Sequence, residues 1–235
     1  MTAIAIIVAG GSSRRMGYDK LLVDIAGEPV LIHTLRAFEY CGDIGQILLV
    51  APESRVAFFQ EMVAPFSKVT AVLAGGAERH LSVWAGLQNV PPDFEWVAVH
   101  DAARPLVQPA DISETILKAQ EFGAASLAAP VADTLNRATG DRFAGEVIDR
   151  TGVWAMQTPQ VFQRQRLIEA YTAVLSRGEL VTDEVSAVAK LGDAVKLVAS
   201  RDLNFKITFP CDIELARAVL SMRRARMTGH PEFIA

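Results

Sequence analysis

The sequence predicts an α/β protein built on a mostly parallel sheet with helices on both faces. Three observations predict it. Apolar runs of strand length alternate with segments of helical period along most of the 235 residues. That rhythm is the mark of βαβ units. The first strand runs straight into a glycine- and serine-rich loop, the kind of turn found at the carboxyl ends of strands in open α/β sheets. The chain is 51% hydrophobic and 21% charged, which suits a large core and excludes a mainly disordered chain.

In order, residues 3–8 form an all-apolar run and read as a buried strand. Pro29 opens a helix that ends near Tyr40. Residues 46–50 and 69–73 read as strands, with a helix over 53–64 between them. In the next helix Leu81, Trp84, Ala85 and Gln88 share one face. Residues 96–99 are a fourth strand. Residues 109–122 are a helix with Ile112, Ile116 and Ala119 on one stripe, and 124–129 are a strand. After residue 157 the rhythm resumes. Helices fall over 164–176 and 183–191, short strands over 194–198 and 205–207, and a terminal helix over 212–226. That helix carries Leu215, Val219 and Met222 on one stripe. Its Arg223, Arg224 and Arg226 read as a solvated end complementing the helix dipole.

Between residues 131 and 157 the rhythm breaks. Residues 133–137 and 146–150 read as two polar strands joined by a turn over 138–142. The ribbon is either a surface hairpin or an arm that packs on a partner subunit, since a lone two-stranded ribbon is marginal.

The formal net charge is −4, which argues against non-specific nucleic-acid binding. The N-terminal apolar run stops at Gly10, too short to span a bilayer, and no basic leader precedes it. A cytoplasmic protein is expected. Cys41 and Cys211 fit no metal or disulfide pattern and read as small buried or half-buried residues.

The chemistry concentrates in three segments. Residues 8–20 read Val-Ala-Gly-Gly-Ser-Ser-Arg-Arg-Met-Gly-Tyr-Asp-Lys and follow the first strand. Small residues let backbone N–H groups approach an anion, while Arg15 and Lys20 add charge that can follow charge developing on phosphate. The spacing fits neither the dinucleotide fingerprint nor Walker A. Residues 100–105, His-Asp-Ala-Ala-Arg-Pro, end the fourth strand at the same rim. Asp101 is a candidate to help hold Mg²⁺ or to bind a hydroxyl. Arg104 is a candidate phosphate partner. An Asp101–Arg104 ion pair that fixes the loop is the structural alternative, and His100 reads as structural. Gly75 and Gly76 precede a helix with Arg79 and Ser82, either as a nucleotide contact or as a tight turn. Three features stay undecided from the pattern: Thr182 reads as an N-cap, Lys206 by alternation points to solvent, and Thr134 and Arg150 sit on the ribbon.

In this order the segments resemble the 2-C-methyl-D-erythritol 4-phosphate cytidylyltransferases over nearly the whole chain. The carriers are the glycine loop ending in Arg15-Met16, Lys20, Gly75-Gly76 through Arg79 and Ser82, the His100–Pro105 motif, Asp133-Thr134, Arg150, Thr158-Pro159-Gln160, Thr182-Asp183-Glu184, and Asn204 with Lys206. Ser13 and Ala77 depart from the family's usual glycine and aspartate.

The resemblance implies a Rossmann-like nucleotidyltransferase fold, a single domain over 1–235, and a homodimer. An arm at about 132–157 would reach into the neighbour's site. It implies transfer of CMP from CTP to methylerythritol phosphate with Mg²⁺. Arg15, Lys20 and Lys206 would be catalytic. Ala9, Gly10, Gly11, Ser12, Ser13, Gly75, Gly76, Arg79 and Ser82 would bind the nucleotide, in a basic pocket. Asp101, Arg104, Thr134, Arg150 and Thr182 would bind the acceptor. The competing readings are a ribitol 5-phosphate cytidylyltransferase, a molybdenum-cofactor guanylyltransferase and a non-catalytic nucleotide-binding protein.

Overall fold

In the computed structural model of the chain, which describes residues 1–10 and 17–228, β1 (Ala3–Val8) is buried at every position. Its side chains alternate between two cores. Ala3, Ala5 and Ile7 pack with Leu31, Leu35 and Phe38, while Ile4, Ile6 and Val8 pack with Val83, Leu87 and Tyr171. Both faces of the strand are covered, so its sequence is continuously apolar instead of alternating. Burial of a side chain such as Ile6 contributes about 1.5–3 kcal/mol.

A small hairpin of β2 (Asp24–Ile25) and β3 (Glu28–Pro29) follows. The alternation then runs through α1 (Val30–Tyr40), β4 (Ile44–Ala51), α2 (Val56–Val63), β5 (Val69–Ala74), α3 (Arg79–Leu87), β6 (Trp96–Asp101), α4 (Pro109–Phe122) and β7 (Ala124–Pro130). β8 (Leu135–Ala138) and β9 (Ala144–Ile148) form the antiparallel hairpin that the ribbon predicted. β10 (Trp154–Gln163), α5 (Arg164–Ser176), α6 (Glu184–Ala189), β11 (Lys196–Ala199) and α7 (Cys211–Thr228) complete the chain.

Seven strands form the main sheet in the order β11-β7-β10-β6-β1-β4-β5. Neighbours are parallel except at β10, which runs antiparallel to both β6 and β7. β1 lies between β4 and β6, so the chain winds outward on one side and returns on the other. Ligands of open α/β sheets bind at such a reversal, beyond the carboxyl ends of the strands.

The structure corrects several expectations. β10 has no counterpart in the predicted elements. Its register shifts between Met156 and Gln160, around a cis Thr158–Pro159 bond. Residues 154–157 belong to this strand, so the projecting hairpin is shorter than 132–157. Residues 205–207 do not form a strand, because their hydrogen bonds go to a turn: the Ile207 N–H donates to the Ala103 carbonyl at 2.9 Å.

On α3 the buried positions are His80, Ser82, Val83, Gly86 and Leu87, not the Leu81–Trp84 stripe. Gly86 allows this, because a Cβ there would lie 2.7 Å from Ile6 Cγ2. On α7 the inward stripe is Ile213, Ala216 and Val219, whereas Leu215 and Met222 are exposed. Cys41 is buried as expected, but Cys211 is exposed. Arg223 is more than a solvated helix end: it pairs with Asp202 at 2.9 Å and donates to the Leu106 carbonyl at 2.8 Å.

Candidate active site

Three neighbouring loops meet at the carboxyl ends of β5, β1 and β6. The Ala9 N–H donates to the Val50 carbonyl at 2.7 Å, and the Ala102 N–H donates to the Val8 carbonyl at 3.0 Å. The Gly75 N–H donates to the Ala51 carbonyl at 2.8 Å. These bonds carry the parallel pairing into the loops and bring Ala9, Gly10, Gly75 and Gly76 to one rim. The glycine pair is required by close approach. A Cβ on Gly75 would lie 2.6 Å from Ser82 Oγ, and one on Gly76 would overlap Leu81. Ser82 Oγ donates to the carbonyls of Gly76 and Glu78, each at 3.2 Å, and so locks this crossing. Gly11, Ser12, Ser13 and Arg15 lie outside the described residues.

Beside the rim is a cleft of about 230 Å³ whose walls include Arg79, Asp101, Arg104, Gln157, Thr182 and Lys206. Asp101 is its centre. Arg79 Nε donates to Asp101 Oδ1 at 2.9 Å, Lys206 Nζ donates to Oδ2 at 2.9 Å, and Arg104 Nε stands 3.6 Å from Oδ2. Burial pushes the Asp101 carboxyl up, but the charges of Arg79, Lys206 and Arg104 outweigh it and hold the group well below the usual carboxylate range. The Asp101–Arg104 pair exists, as one part of a larger network. The alternation argument for Lys206 fails because residues 205–207 are not a strand.

Arg79 also grips α6. Its Nη1 and Nη2 donate to the two oxygens of Glu184 at 2.7 and 3.0 Å. Burial lowers the Arg79 pKa, and the charges of Glu184 and Asp101 reverse that and raise it. The guanidinium therefore faces two carboxylates instead of the nucleotide rim predicted for it. Neither Glu184 nor Tyr171, which donates to Glu184 Oε1 at 2.9 Å, was singled out in the sequence as a site residue. A Thr-Asp-Glu run reads as an exposed helix start, yet Glu184 is fully buried.

Thr182 lines the cleft but does not cap α6. Asp183 does, accepting from the Ser186 N–H at 2.9 Å. Asp183 also lines the cleft. Among the lining residues Arg79, Arg104 and Lys206 face Asp101 and Asp183, with Glu184 buried behind Arg79. An incoming phosphate must compete with Asp101 for Arg104 and Lys206.

Three other predicted residues lie apart from the cleft walls. Lys20 sits in a 3₁₀ turn, Lys20–Leu22, where Asp19 accepts from the Leu21 N–H at 3.0 Å. Its Nζ donates to the Ile207 carbonyl at 2.6 Å, next to Lys206 in sequence. Thr134 and Arg150 are exposed at the foot of the hairpin and do not line the cleft in a single chain.

His100 is structural, as expected, and buried. The Asp101 N–H donates to Thr158 Oγ1 at 3.1 Å, and that hydroxyl lies 2.9 Å from His100 Nδ1. Thr158 therefore donates to Nδ1, and Nε2 carries the proton toward the Arg104 carbonyl at 3.4 Å. Burial lowers the His100 pKa to about 3. Its folded pKa lies below the unfolded value of about 6.5, so its stabilisation is complete above that value and is lost as pH falls toward 3. Between these limits the unfolded chain binds one more proton. His100 should therefore add a slope of about 1.4 kcal/mol per pH unit to the unfolding free energy. Urea titrations of wild type and His100→Gln between pH 7 and pH 5 check this; the variant should show a shallower slope.

Asp101 does not fit the metal-ligand role entertained for it. Both its oxygens face cationic donors, and a Mg²⁺ placed there would meet three positive groups. No group of three or more His, Cys, Asp or Glu side chains is arranged to hold a metal among the described residues. No helix among them is long and apolar enough to cross a membrane.

Known proteins share this fold and much of this sequence. Residues 3–222 match the family model described as 2-C-methyl-D-erythritol 4-phosphate cytidylyltransferase. Relatives of that name from Desulforamulus reducens and Bacillus velezensis are 39% and 40% identical, each over 94% of this chain and 96% of its own length. The crystal structure of the Thermus thermophilus protein of that name superposes with a TM-score of 0.78 at 30% identity. It covers 92% of this chain and 98% of its own. The 4-diphosphocytidyl-2C-methyl-D-erythritol synthase from Anaerococcus prevotii gives a TM-score of 0.83 at 27% identity, over 94% and 98%. A match that runs through both the glycine rim and the Asp101 cleft makes this chain a member of the 2-C-methyl-D-erythritol 4-phosphate cytidylyltransferase family.

Proposed function

We propose that the chain transfers CMP from CTP to 2-C-methyl-D-erythritol 4-phosphate, forming 4-diphosphocytidyl-2-C-methyl-D-erythritol and pyrophosphate. The observation that carries this reading is the pairing of a glycine rim at β1 and β5 with an adjoining cleft centred on Asp101. The first suits a nucleotide, the second a phosphorylated polyol. An acceptor phosphate oxygen attacks the α-phosphorus of CTP, the new P–O bond forms, and the bond to the β-phosphate bridging oxygen breaks. A phosphate monoester is already anionic near pH 7, so the step needs no general base. The protein's task is to position two anions and offset their repulsion.

Ala9, Gly10, Gly75, Gly76 and Ser82 shape the nucleotide rim, and Gly11, Ser12, Ser13 and Arg15 are assigned to the nucleotide from the sequence alone. Lys20 and Arg15 take charge on the reacting phosphates. Arg104 and Lys206 receive the acceptor phosphate, while Asp101 accepts hydrogen bonds from the acceptor's hydroxyls and Thr182 can donate to or accept from them. Nucleotidyltransferases generally need a divalent metal. The proposed metal is Mg²⁺, which would arrive with CTP and offset phosphate charge, since the described residues offer it no carboxylate cluster.

The hairpin fits a dimerisation arm. Phe143 and Val147 are 71% and 65% exposed on a two-stranded ribbon that is marginal alone. A second copy would cover them and receive Thr134 and Arg150 at its own cleft. The substrates are soluble, and the cytoplasm is the proposed compartment.

Pyrophosphate release from CTP, measured separately with methylerythritol phosphate and ribitol 5-phosphate, tests the reading. Release with the first acceptor is expected. Release with the second alone moves the assignment to the ribitol enzyme, and release with neither points to a nucleotide-binding protein.

A further inference from the structure

The buried pair Glu184 and Arg79 has no part in the chemistry above, yet it occupies the floor between α3, α6 and β6. Glu184 is fully buried and Arg79 is a quarter exposed. Three of the guanidinium's donors go to carboxylates: two to Glu184 and one to Asp101 Oδ1. Glu184 is held in turn by Tyr171, which is fully buried and stacks on Trp84 with ring centroids 6.1 Å apart. The backbone on either side of Glu184 is pinned from β10. Gln160 Oε1 accepts from the Glu184 and Val185 N–H groups at 3.1 and 3.0 Å, and its Nε2 donates to Asp183 Oδ2 at 3.0 Å. A chain of hydrogen bonds thus runs from Tyr171 through Glu184 and Arg79 to Asp101. Its Glu184 end also fixes the start of α6, two residues beyond Thr182.

A planar fork is the group that can bridge two carboxylates in this way; an ammonium acts as a single point charge. The bridge fixes which oxygen of Asp101 is left to Lys206 and Arg104. It also fixes the height of Thr182 across the cleft.

We propose that Glu184 is a positioning residue for the acceptor half of the site, acting through Arg79 to orient Asp101 and through the α6 start to place Thr182. This deepens the functional reading above and rests on it. The consequence is a split between the substrates. Acceptor binding depends on the Glu184–Arg79 bridge, while CTP binding at the glycine rim does not.

The test is steady-state kinetics on Glu184→Gln and Arg79→Lys, with circular dichroism to confirm folding. Glu184→Gln keeps the shape and removes the charge; Arg79→Lys keeps the charge and removes the fork. In both, KM for methylerythritol phosphate should rise about tenfold, the scale of one lost charge-assisted hydrogen bond, with KM for CTP changed less than about twofold. Tyr171→Phe deletes one hydroxyl at the far end of the chain, and about a threefold rise in acceptor KM is expected. It decides the matter if the charged variants do not fold.

An unchanged acceptor KM, or a KM for CTP that rises as much, overturns the proposal and makes Arg79 a nucleotide residue or a purely structural one. No product from the unaltered chain overturns the functional reading, and the proposal with it.

Discussion

Lys20→Ala is expected to lower kcat by about 10²–10³-fold, the usual scale for removing one preorganised charge from a reacting centre, with the fold intact. The expectation rests on where the lysine is held. Asp19 caps the 3₁₀ turn that carries it, and Arg55 pairs with Asp19, so the backbone at Lys20 is fixed from two sides. The ammonium donates to the carbonyl of Ile207, a neutral acceptor beside the segment that delivers Lys206 to Asp101. Exchanging that carbonyl for a phosphate oxygen gains most where negative charge is greatest, which is what raises kcat instead of merely tightening binding. Loss of the hydrogen bond to the part-buried Ile207 carbonyl costs the folded state on the order of 1 kcal/mol. Turnover at saturating CTP and acceptor, set beside a urea titration, separates the two effects. An unchanged kcat in folded protein removes Lys20 from the chemistry.

The same residues show what a sequence makes legible. The βα rhythm was readable because the central parallel strands are covered on both faces, so a run such as β1 is apolar throughout. β10 escaped detection because its middle, Gln157-Thr158-Pro159-Gln160, is polar and carries a proline. Those residues are needed where the strand bends to form the cleft wall, with Thr158 bonded to His100 and Gln160 to α6. Asp101 was legible from its place at the end of an apolar strand. So was its pairing with Arg104. The rest of the network was not, because Arg79 meets Glu184 and Asp101 meets Lys206 across 105 residues of sequence each. A buried glutamate looks the same as an exposed one until its arginine is in place. Lys206 was read by strand alternation, and the backbone there is not a strand. Thr134 and Arg150 were legible only by resemblance, since one chain leaves both on an exposed hairpin.

Lys206→Ala is expected to cut kcat/KM for the acceptor by about 10²-fold, the loss of a charge-assisted contact in a half-buried site. Stability should change little. Asp101 keeps Arg79 at 2.9 Å and Arg104 at 3.6 Å, so the variant does not strand a buried carboxylate. The free cleft already pairs Lys206 with Asp101, and that pairing makes a sharper statement possible. If the lysine serves the acceptor phosphate from its position on Asp101, the two residues act as a unit. Asp101→Asn and Lys206→Ala should then combine to less than the sum of their separate effects. The coupling should be about 1–3 kcal/mol in the free energy taken from kcat/KM. Additive effects mean that Lys206 acts on the phosphate independently of the carboxylate. A kcat/KM within about twofold of wild type in Lys206→Ala alone means that the lysine only neutralises Asp101. The acceptor phosphate would then depend on Arg104, whose Nη1 is anchored to the Asn204 carbonyl at 2.8 Å and whose reach into the cleft is fixed accordingly.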